Sequence, residues 1–202
     1  ILSRVTIVDP YTTQFIWLYA ITLGFWLLAV PSLLKFNVPI RNPILLALIG
    51  WLLLLPTCLA LFQLRAIDPI LLLGFITAIW ISDTAAYFTG RKFGKNKLAP
   101  SISPGKTWEG VAGALVAVCI YALIWSYLVV DRTQIILYVP LLLALVVLGI
   151  LGDLFESLMK RQVGVKNSGN ILPGHGGILD RIDALTSTLP VAIFVVLLFF
   201  TI

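Results

Sequence analysis

This sequence predicts an all-α fold, that of a polytopic integral membrane protein with about six transmembrane helices. The chain has 202 residues, of which 60% are hydrophobic and only 11% charged, whereas soluble domains have about 45–50% and about 25%. The apolar residues form runs long enough to cross a bilayer, and the basic residues concentrate in alternate loops. We therefore expect residues 1–202 to form a single transmembrane helical domain, with the lipid bilayer as its surroundings and no nucleic-acid partner.

The predicted spans follow one another along the chain, and each provides about 20 mainly apolar residues, enough to cross the hydrocarbon core. They cover roughly 12–34, 43–64, 69–89, 108–130, 135–156 and 183–202. Several prolines lie within or beside these runs, which membrane helices tolerate when neighbouring groups re-satisfy the backbone: Pro31, Pro56, Pro140 and Pro190. The chain starts at Ile1 and its single methionine is Met159, so we expect further helices to precede it.

The basic residues predict the orientation of these spans. Loops 35–42, 90–107 and 157–182 fall on one side and carry most of the lysines and arginines. The opposite side, made of residues 1–11 and loops 65–68 and 131–134, carries only Arg4, Arg65 and Arg132. Cytoplasmic loops are enriched in Lys and Arg. We therefore expect a multi-pass protein of the cell's inner (cytoplasmic) membrane, with an active site built from residues 80–110 and 150–185 and facing the cytoplasm.

Acidic side chains within or beside the spans are candidates for function. Asp83 lies about 21 Å along its helix from Pro69, at 1.5 Å per residue, and therefore within the hydrocarbon core on the cytoplasmic side. An ionisable group at that depth is costly unless it is paired or hydrated. Asp83 is therefore a functional candidate, and Asp153 should lie near the same interface because it follows a long apolar run.

Two acidic pairs have the i, i+3 spacing that places both members on one face of a helix. Asp153 pairs with Glu156, and Asp180 pairs with Asp183, at the cytoplasmic ends of the last two spans. Converging carboxylates are suited to Mg²⁺, which makes Asp153, Asp180 and Asp183 candidate ligands. The alternatives are ion pairs, such as Glu156 with Lys160 or Asp180 with a basic neighbour, and favourable electrostatics at a helix N-terminus.

The loop at 90–107 is basic and contains Ser103, Gly105 and Lys106 just before a predicted helix. Gly105-Lys106-Thr107 ends like a P-loop, but that motif needs a glycine five positions before Gly105, where Pro100 stands. The P-loop is therefore excluded. Exposed backbone amides at a helix N-terminus bind phosphate well, so the loop is either a phosphate-binding element or a basic anchor for the membrane surface.

The segment 157–183 combines basic residues, glycines and a histidine between two apolar runs. Its bases are suited to hold phosphate groups: Lys160, Arg161, Lys166 and Arg181. Gly176 and Gly177 allow a tight turn or a close approach of the backbone to a ligand. His175 is either a donor to phosphate and a proton carrier or a structural hydrogen-bonding residue. With one histidine and no cysteine nearby, the segment does not favour a zinc site.

Together these residues resemble the signature of the phosphatidate cytidylyltransferase (CDP-diacylglycerol synthase) family. The matching positions are Ser157, Lys160, Arg161, Lys166, Gly169, Leu172, Pro173, His175, Gly176, Gly177, Asp180, Arg181 and Asp183. Segments 83–87 and 103–110 are also similar to this family, so the resemblance covers about residues 80–202. One position departs from the signature, because Asn167 stands where the family has an aspartate.

The resemblance implies a nucleotidyltransferase of phospholipid biosynthesis that converts CTP and phosphatidate to CDP-diacylglycerol and pyrophosphate. It also implies Mg²⁺, leaves room for a second cation and allows a homodimer. Asp153, Asp180 and Asp183 would be the metal ligands, with Asp83 beside them, and the basic residues, Lys106 among them, would hold the phosphates. The alternatives are a CTP-dependent kinase of a polyprenol-type lipid and a non-enzymatic membrane transporter. A transporter should place acidic or polar breaks toward both faces of the membrane.

Overall fold

The computed structural model describes residues 14–129, 135–165, 168–169 and 177–200. Within these ranges, six helices are long and apolar enough to cross a membrane. They are α1 (Ile16–Phe36), α2 (Pro43–Ile67), α3 (Pro69–Phe93), α4 (Trp108–Leu128), α5 (Ile135–Gln162) and α6 (Leu179–Phe200). The predicted class and number of spans are confirmed. Large apolar side chains such as Trp17 and Ile136 point outward, about four-fifths exposed (78% and 80%), as expected of a surface that contacts lipid.

Local sequence explains where several helices begin. Asn42 and Asp68 cap α2 and α3, because their side-chain Oδ1 atoms accept hydrogen bonds from the backbone N–H groups two and three residues later. A proline follows each cap at the first helical position, where its missing N–H costs nothing. Thr107 caps α4 in the same way, through Gly110 N at 3.1 Å.

The helices at the predicted cytoplasmic end extend beyond the apolar runs. We predicted that the fifth span would end near residue 156 and the sixth would start at 183, but α5 continues to Gln162 and α6 starts at Leu179. Hydropathy detects the part of a helix that lies in lipid, whereas backbone hydrogen bonds continue through charged residues with good helix propensity. The candidate functional residues at 157–162 and 179–183 therefore lie on helices.

Part of the segment predicted as a loop at 90–107 forms an antiparallel hairpin that the sequence analysis did not predict. β1 (Lys97–Ala99) pairs with β2 (Ser103–Thr107). Glu109, in the first turn of α4, accepts hydrogen bonds from the backbone and side-chain N–H groups of Asn96. The carboxylate of Glu109 thereby ties the base of the hairpin to α4.

Small residues let the helices approach closely beside this end of the bundle. On α5, a Cβ added at Gly152 would lie 2.7 Å from Ser187 Oγ and 2.8 Å from Asp183 O of α6. On α4, Gly110 leaves no space for a side chain against the Ala86 carbonyl of α3. Close backbone contact through small residues is a usual way for membrane helices to pack. These contacts hold α3, α4, α5 and α6 at fixed spacing around the candidate site.

Candidate active site

A cavity of about 770 Å³, called here the polar cavity, opens between α3, the hairpin, α5 and α6. Its charged and polar lining includes Asp83, Arg91, Lys97, Ser103, Lys106, Asp153, Asp180 and Asp183. The volume lies in the range of small-molecule and cofactor sites, about 300–1,000 Å³. The structure therefore joins the two regions, 80–110 and 150–185, that the sequence predicted to act together.

Three carboxylates converge beside this cavity, and two of them, Asp153 and Asp183, line it. Oxygen atoms of Asp153, Glu156 and Asp183 lie within 4.8 Å of one another. The close contact at Gly152 brings this about, since it presses α5 against the turn of α6 that carries Asp183. Glu156 is buried, and its Oε1 has no hydrogen-bond partner among the residues that the structure describes.

This donor set fits a hard divalent cation. Mg²⁺ prefers carboxylate oxygens, and three carboxylates so close together repel one another unless a cation balances them. The buried, unpartnered oxygen of Glu156 is the kind of atom that a cation would satisfy. Glu156 was not among the predicted ligands, although its i, i+3 spacing from Asp153 had marked the pair as a candidate.

Lys106, at the hairpin end of the cavity, pairs directly with this cluster. Its Nζ lies 2.6 Å from Asp153 Oδ2 and donates to the Ile150 carbonyl at 3.4 Å. Both side chains are partly exposed to the cavity. An ammonium group has three N–H donors, so these contacts leave one N–H for a ligand in the cavity. The hairpin places this lysine opposite α5, which the apolar pattern of the sequence did not predict.

Lys160 forms a second charged group at the junction of α5 and α6. Its Nζ lies 2.9 Å from Glu156 Oε2 and 2.6 Å from Asp180 Oδ1. The other oxygen of Asp180 accepts hydrogen bonds from Ser168 N, Ser168 Oγ and Gly177 N at 2.8–2.9 Å. Asp180 thus ties the α5–α6 connection to both helices.

The two acidic residues at the start of α6 therefore differ in their surroundings. Asp183 joins the carboxylate cluster of α5, whereas Asp180 binds Lys160 and backbone N–H groups. The ion pairs considered as alternatives are present, Glu156 with Lys160 and Asp180 with a base on the neighbouring helix. Asp180 as a metal ligand stays a prediction.

The other predicted residues that the structure describes take several positions. Asp83, Ser103 and Gly105 line the polar cavity, and an added Cβ at Gly105 would meet open space. Arg161 donates through Nε to the Ile102 carbonyl at 3.4 Å, toward the hairpin. Arg181 is exposed in the first turn of α6.

Gly177, which was predicted to help bind a ligand, is buried. Packing around this position also requires a glycine. A Cβ there would collide with the Ser168 side chain and the Gly169 backbone, and its N–H is used by Asp180. Six further residues of the resemblance lie outside the described residues: Lys166, Asn167, Leu172, Pro173, His175 and Gly176. Their predicted roles stay predictions.

Comparison with known proteins adds independent information. The model of the Cytidylyltransferase family matches residues 4–199. The chain is 44% identical over 163 residues to the phosphatidate cytidylyltransferase of Haemophilus influenzae, covering 74% of this chain and 56% of that protein. It is 46% identical over 145 residues to that of Pseudomonas aeruginosa, covering 70% and 54%. It is 40% identical over 181 residues to that of Bacillus subtilis, covering 86% and 67%. The chain thus spans about half to two thirds of the length of these curated relatives.

Proposed function

This chain belongs to the cytidylyltransferase family, and from that membership we propose that the polar cavity transfers a cytidylyl group from CTP to phosphatidate. The products would be CDP-diacylglycerol and pyrophosphate. The relatives named phosphatidate cytidylyltransferase support this choice of substrates. The protein would then be a membrane nucleotidyltransferase of phospholipid biosynthesis.

One observation carries the proposal: a lysine and two carboxylates of a three-carboxylate cluster line one cavity at the end of a membrane bundle. Asp153, Glu156 and Asp183 provide the oxygen ligands, and Lys106 stands beside them on a separate element. A polar cavity at this end would let a soluble nucleotide meet a lipid head group while the acyl chains stay in the bilayer.

The chemistry requires little acid–base work from the protein. An oxygen of the phosphatidate phosphate attacks the α-phosphorus of CTP. The bond from that phosphorus to the oxygen bridging to the β-phosphorus breaks, and pyrophosphate leaves with the electron pair. Because the attacking oxygen is already anionic, no strong general base is needed. Catalysis depends instead on positioning two polyanions and offsetting their repulsion.

The residues in and beside the cavity are suited to those two tasks. Asp153, Glu156 and Asp183 would hold Mg²⁺, which when bound offsets the negative charge of the phosphates. Lys106 would donate its remaining N–H to a phosphate oxygen. Arg91 and Lys97 also line the cavity and are suited to the outer phosphates of CTP. Asp83, on the facing helix, would help hold the cation or balance the local charge.

Lys160 acts differently in this proposal. Its contacts with Glu156 and Asp180 make it a positioning residue for the carboxylates and for the start of α6. Roles for Lys166 and His175 in binding phosphate are proposed from the resemblance alone. A second cation and a homodimer are implied only by the resemblance, and contacts within one chain do not bear on either.

We further propose that this end of the bundle faces the cytoplasm and that the protein lies in the inner membrane. Lys92, Lys95 and Lys97 lie at this end, in agreement with the enrichment of basic residues in cytoplasmic loops. Six of the seven acidic residues in the described part of the chain also lie toward this end, rather than toward both faces as a transporter would require. That distribution favours an enzyme over a transporter.

The test is an assay of the complete protein in phosphatidate-containing vesicles with CTP labelled in its α- and γ-phosphates. We expect Mg²⁺-dependent release of pyrophosphate and incorporation of the α-label into lipid. Release of CDP with transfer of the γ-label to a lipid would favour the kinase instead. CTP does not cross membranes, so only vesicles that expose the cytoplasmic face should be active. Activity restricted to the other orientation would contradict the proposed topology.

A further inference from the structure

The hairpin beside the polar cavity contains a β-bulge. Two pairs of residues define its register: Lys97 with Thr107 and Ala99 with Ser103. Between these pairs β1 has one residue and β2 has three, so β2 carries two extra residues. Bulges bend a strand and redirect its side chains, and they are frequent beside active sites. The last residue of this bulge is Lys106, which lines the cavity.

The direction of the Lys106 side chain depends on how the bulge is closed. Its Nζ reaches across to α5 and lies 2.6 Å from Asp153 Oδ2. The next residue, Thr107, pairs with Lys97 of β1 and closes the bulge. A change in the path of β1 at this pair would therefore turn Lys106 away from Asp153.

Hydrogen bonds just beyond this pair fasten Asn96 to the first turn of α4. Trp108 N donates to the Asn96 carbonyl at 3.0 Å. The two carboxylate oxygens of Glu109 accept from Asn96 N at 3.2 and 3.3 Å, and Oε1 also accepts from Asn96 Nδ2 at 2.8 Å. Hydrogen bonds to a charged group are about twice as strong as neutral ones. Asn96 is thus held through both of its backbone groups and through its side chain.

These contacts of Glu109 hold the hairpin rather than the end of its own helix. The cap of α4 is provided by Thr107, whose Oγ1 accepts from Gly110 N at 3.1 Å. Because β2 runs directly into α4, the chain itself keeps Thr107 in place. β1 has no such covalent link and reaches α4 through the hydrogen bonds of Asn96. Glu109 therefore controls the strand that closes the bulge.

We propose that Glu109 is a positioning residue for the reaction: by fixing Asn96 it closes the bulge and holds Lys106 against Asp153. This rests on the proposed function, in which Lys106 binds a phosphate oxygen. Glu109 does not line the polar cavity, so it acts through Lys106 and not on a substrate. A purely structural role would instead lower stability and leave the turnover of the folded protein unchanged.

The first experiment measures pyrophosphate release per folded molecule by the complete protein in phosphatidate-containing vesicles. Glu109→Ala should lower turnover by about tenfold, since a displacement of about 1 Å can cost up to a hundredfold. The loss should be non-additive with Lys106→Met, because both variants remove the same interaction. Ser101→Ala is the control, an exposed position in the turn of the same hairpin, and should keep full turnover. A double variant whose loss equals the product of the two single losses would overturn the proposal.

An exchange of the two hydrogen-bonding groups keeps the test decisive if Glu109→Ala does not fold. Asn96→Asp sets two carboxylates against each other and should lower turnover at least as much as Glu109→Ala. Adding Glu109→Gln should restore most of it, because the new amide can donate to the new carboxylate and still accept from the backbone N–H. Turnover that stays as low as in Asn96→Asp alone would count against the role of Glu109.

A third measurement does not depend on catalysis. The rate at which a soluble N-hydroxysuccinimide ester acetylates Lys106, followed by mass spectrometry, reports how firmly its amine is held by Asp153. Glu109→Ala should raise that rate several-fold and leave the rate at exposed Lys35 unchanged. Equal rates at Lys106 in the two proteins would overturn the proposal, whether or not pyrophosphate is released.

The two proposals can therefore fail separately. A raised acetylation rate at Lys106 with unchanged turnover would remove the positioning role of Glu109 in the reaction. If the unmodified protein released no pyrophosphate while acetylation of Lys106 still rose in Glu109→Ala, the proposed function would be contradicted and the hold of Glu109 on Lys106 supported.

Discussion

The two ends of the helix bundle use acidic side chains in different ways. Beside the polar cavity, the carboxylates of Asp153, Glu156 and Asp183 come from two helices and lie within 4.8 Å of one another. At the opposite end, Asp68 is the only acidic residue in the described part of the chain, and its carboxylate caps α3 through Ile70 N at 2.8 Å. Like charges cluster at one end of the bundle, whereas the described carboxylate at the other end caps the start of a helix.

This difference distinguishes side chains whose arrangement indicates function from side chains that stabilise the fold. A cap is satisfied within its own chain segment and improves stability. A group of like charges is unfavourable by itself and persists where a ligand or a cation balances it. The cluster therefore marks the candidate site, and variants at the two ends should affect different properties of the protein.

The largest expected effect comes from Asp183→Asn, which removes one charge of the cluster and keeps the shape of the side chain. We expect activity to fall by more than about a hundredfold, because loss of even an outer partner of a metal site costs up to that much. Binding of Mn²⁺, measured by electron paramagnetic resonance as a substitute for Mg²⁺, should weaken in parallel.

Asp68→Asn is the matched control for that variant, since it makes the same chemical change at the other end of the bundle. It should keep full activity and Mn²⁺ binding. Equal activity in the two variants would remove the distinction between the ends and with it the assignment of Asp183.

An intermediate effect is expected at the ion pairs of Lys160. Lys160→Met leaves Glu156 and Asp180 without their shared cation, and breaking such a largely buried pair costs about 3 kcal/mol. The side chains of Lys160 and Asp180 are only 17% and 13% exposed, so solvent replaces little of the lost interaction. The free energy of unfolding, measured by denaturant titration in detergent, should fall by that amount.

Two variants provide the comparison for Lys160. Lys92→Met removes an exposed lysine at the same end and should leave stability unchanged. In the double variant with Asp180→Asn, the cost should be smaller than the sum of the single costs, because the two residues interact directly. Strict additivity would show that the ion pair contributes nothing.

The smallest expected effect is that of Asp68→Ala. Loss of an N-cap typically costs about 1 kcal/mol, and Asp68 makes no described contact with the polar cavity. Thermal unfolding in detergent should therefore shift downward slightly, while the rate of pyrophosphate release per folded molecule stays the same. A loss of activity greater than the loss of folded protein would show that the two ends are coupled.

The sequence predicted the framework of the bundle well and the ends of its helices poorly. The starts at residues 43, 69 and 108 were correct, because local capping residues and prolines determine them. The end of α5 and the start of α6 were displaced, since charged residues continue a helix where hydropathy falls. The hairpin at 97–107 was missed because each of its strands is short and polar, without the alternating pattern of a strand packed on a core.

In the candidate site, residue types could be predicted but their partners could not. Asp180 and Asp183 share a spacing that favours one joint role, yet only Asp183 joins the cluster of α5. Glu156 lies three residues after Asp153 and four residues before Lys160, so both a ligand role and an ion pair were consistent with the sequence. Contacts between helices determine which of these roles a residue takes. The spacing of residues in the sequence indicates only contacts within one helix.

The sequence alone determined the class, the number of spans and the charged end of the bundle, and it predicted candidate residues for binding phosphate and metal. These properties follow from composition and from local patterns, which lipid solvation and helix geometry impose directly. Only the tertiary structure decided which carboxylates meet and that Lys106 stands beside Asp153. The meeting of the carboxylates depends on how closely α5 and α6 approach at Gly152, a distance that no single helix encodes.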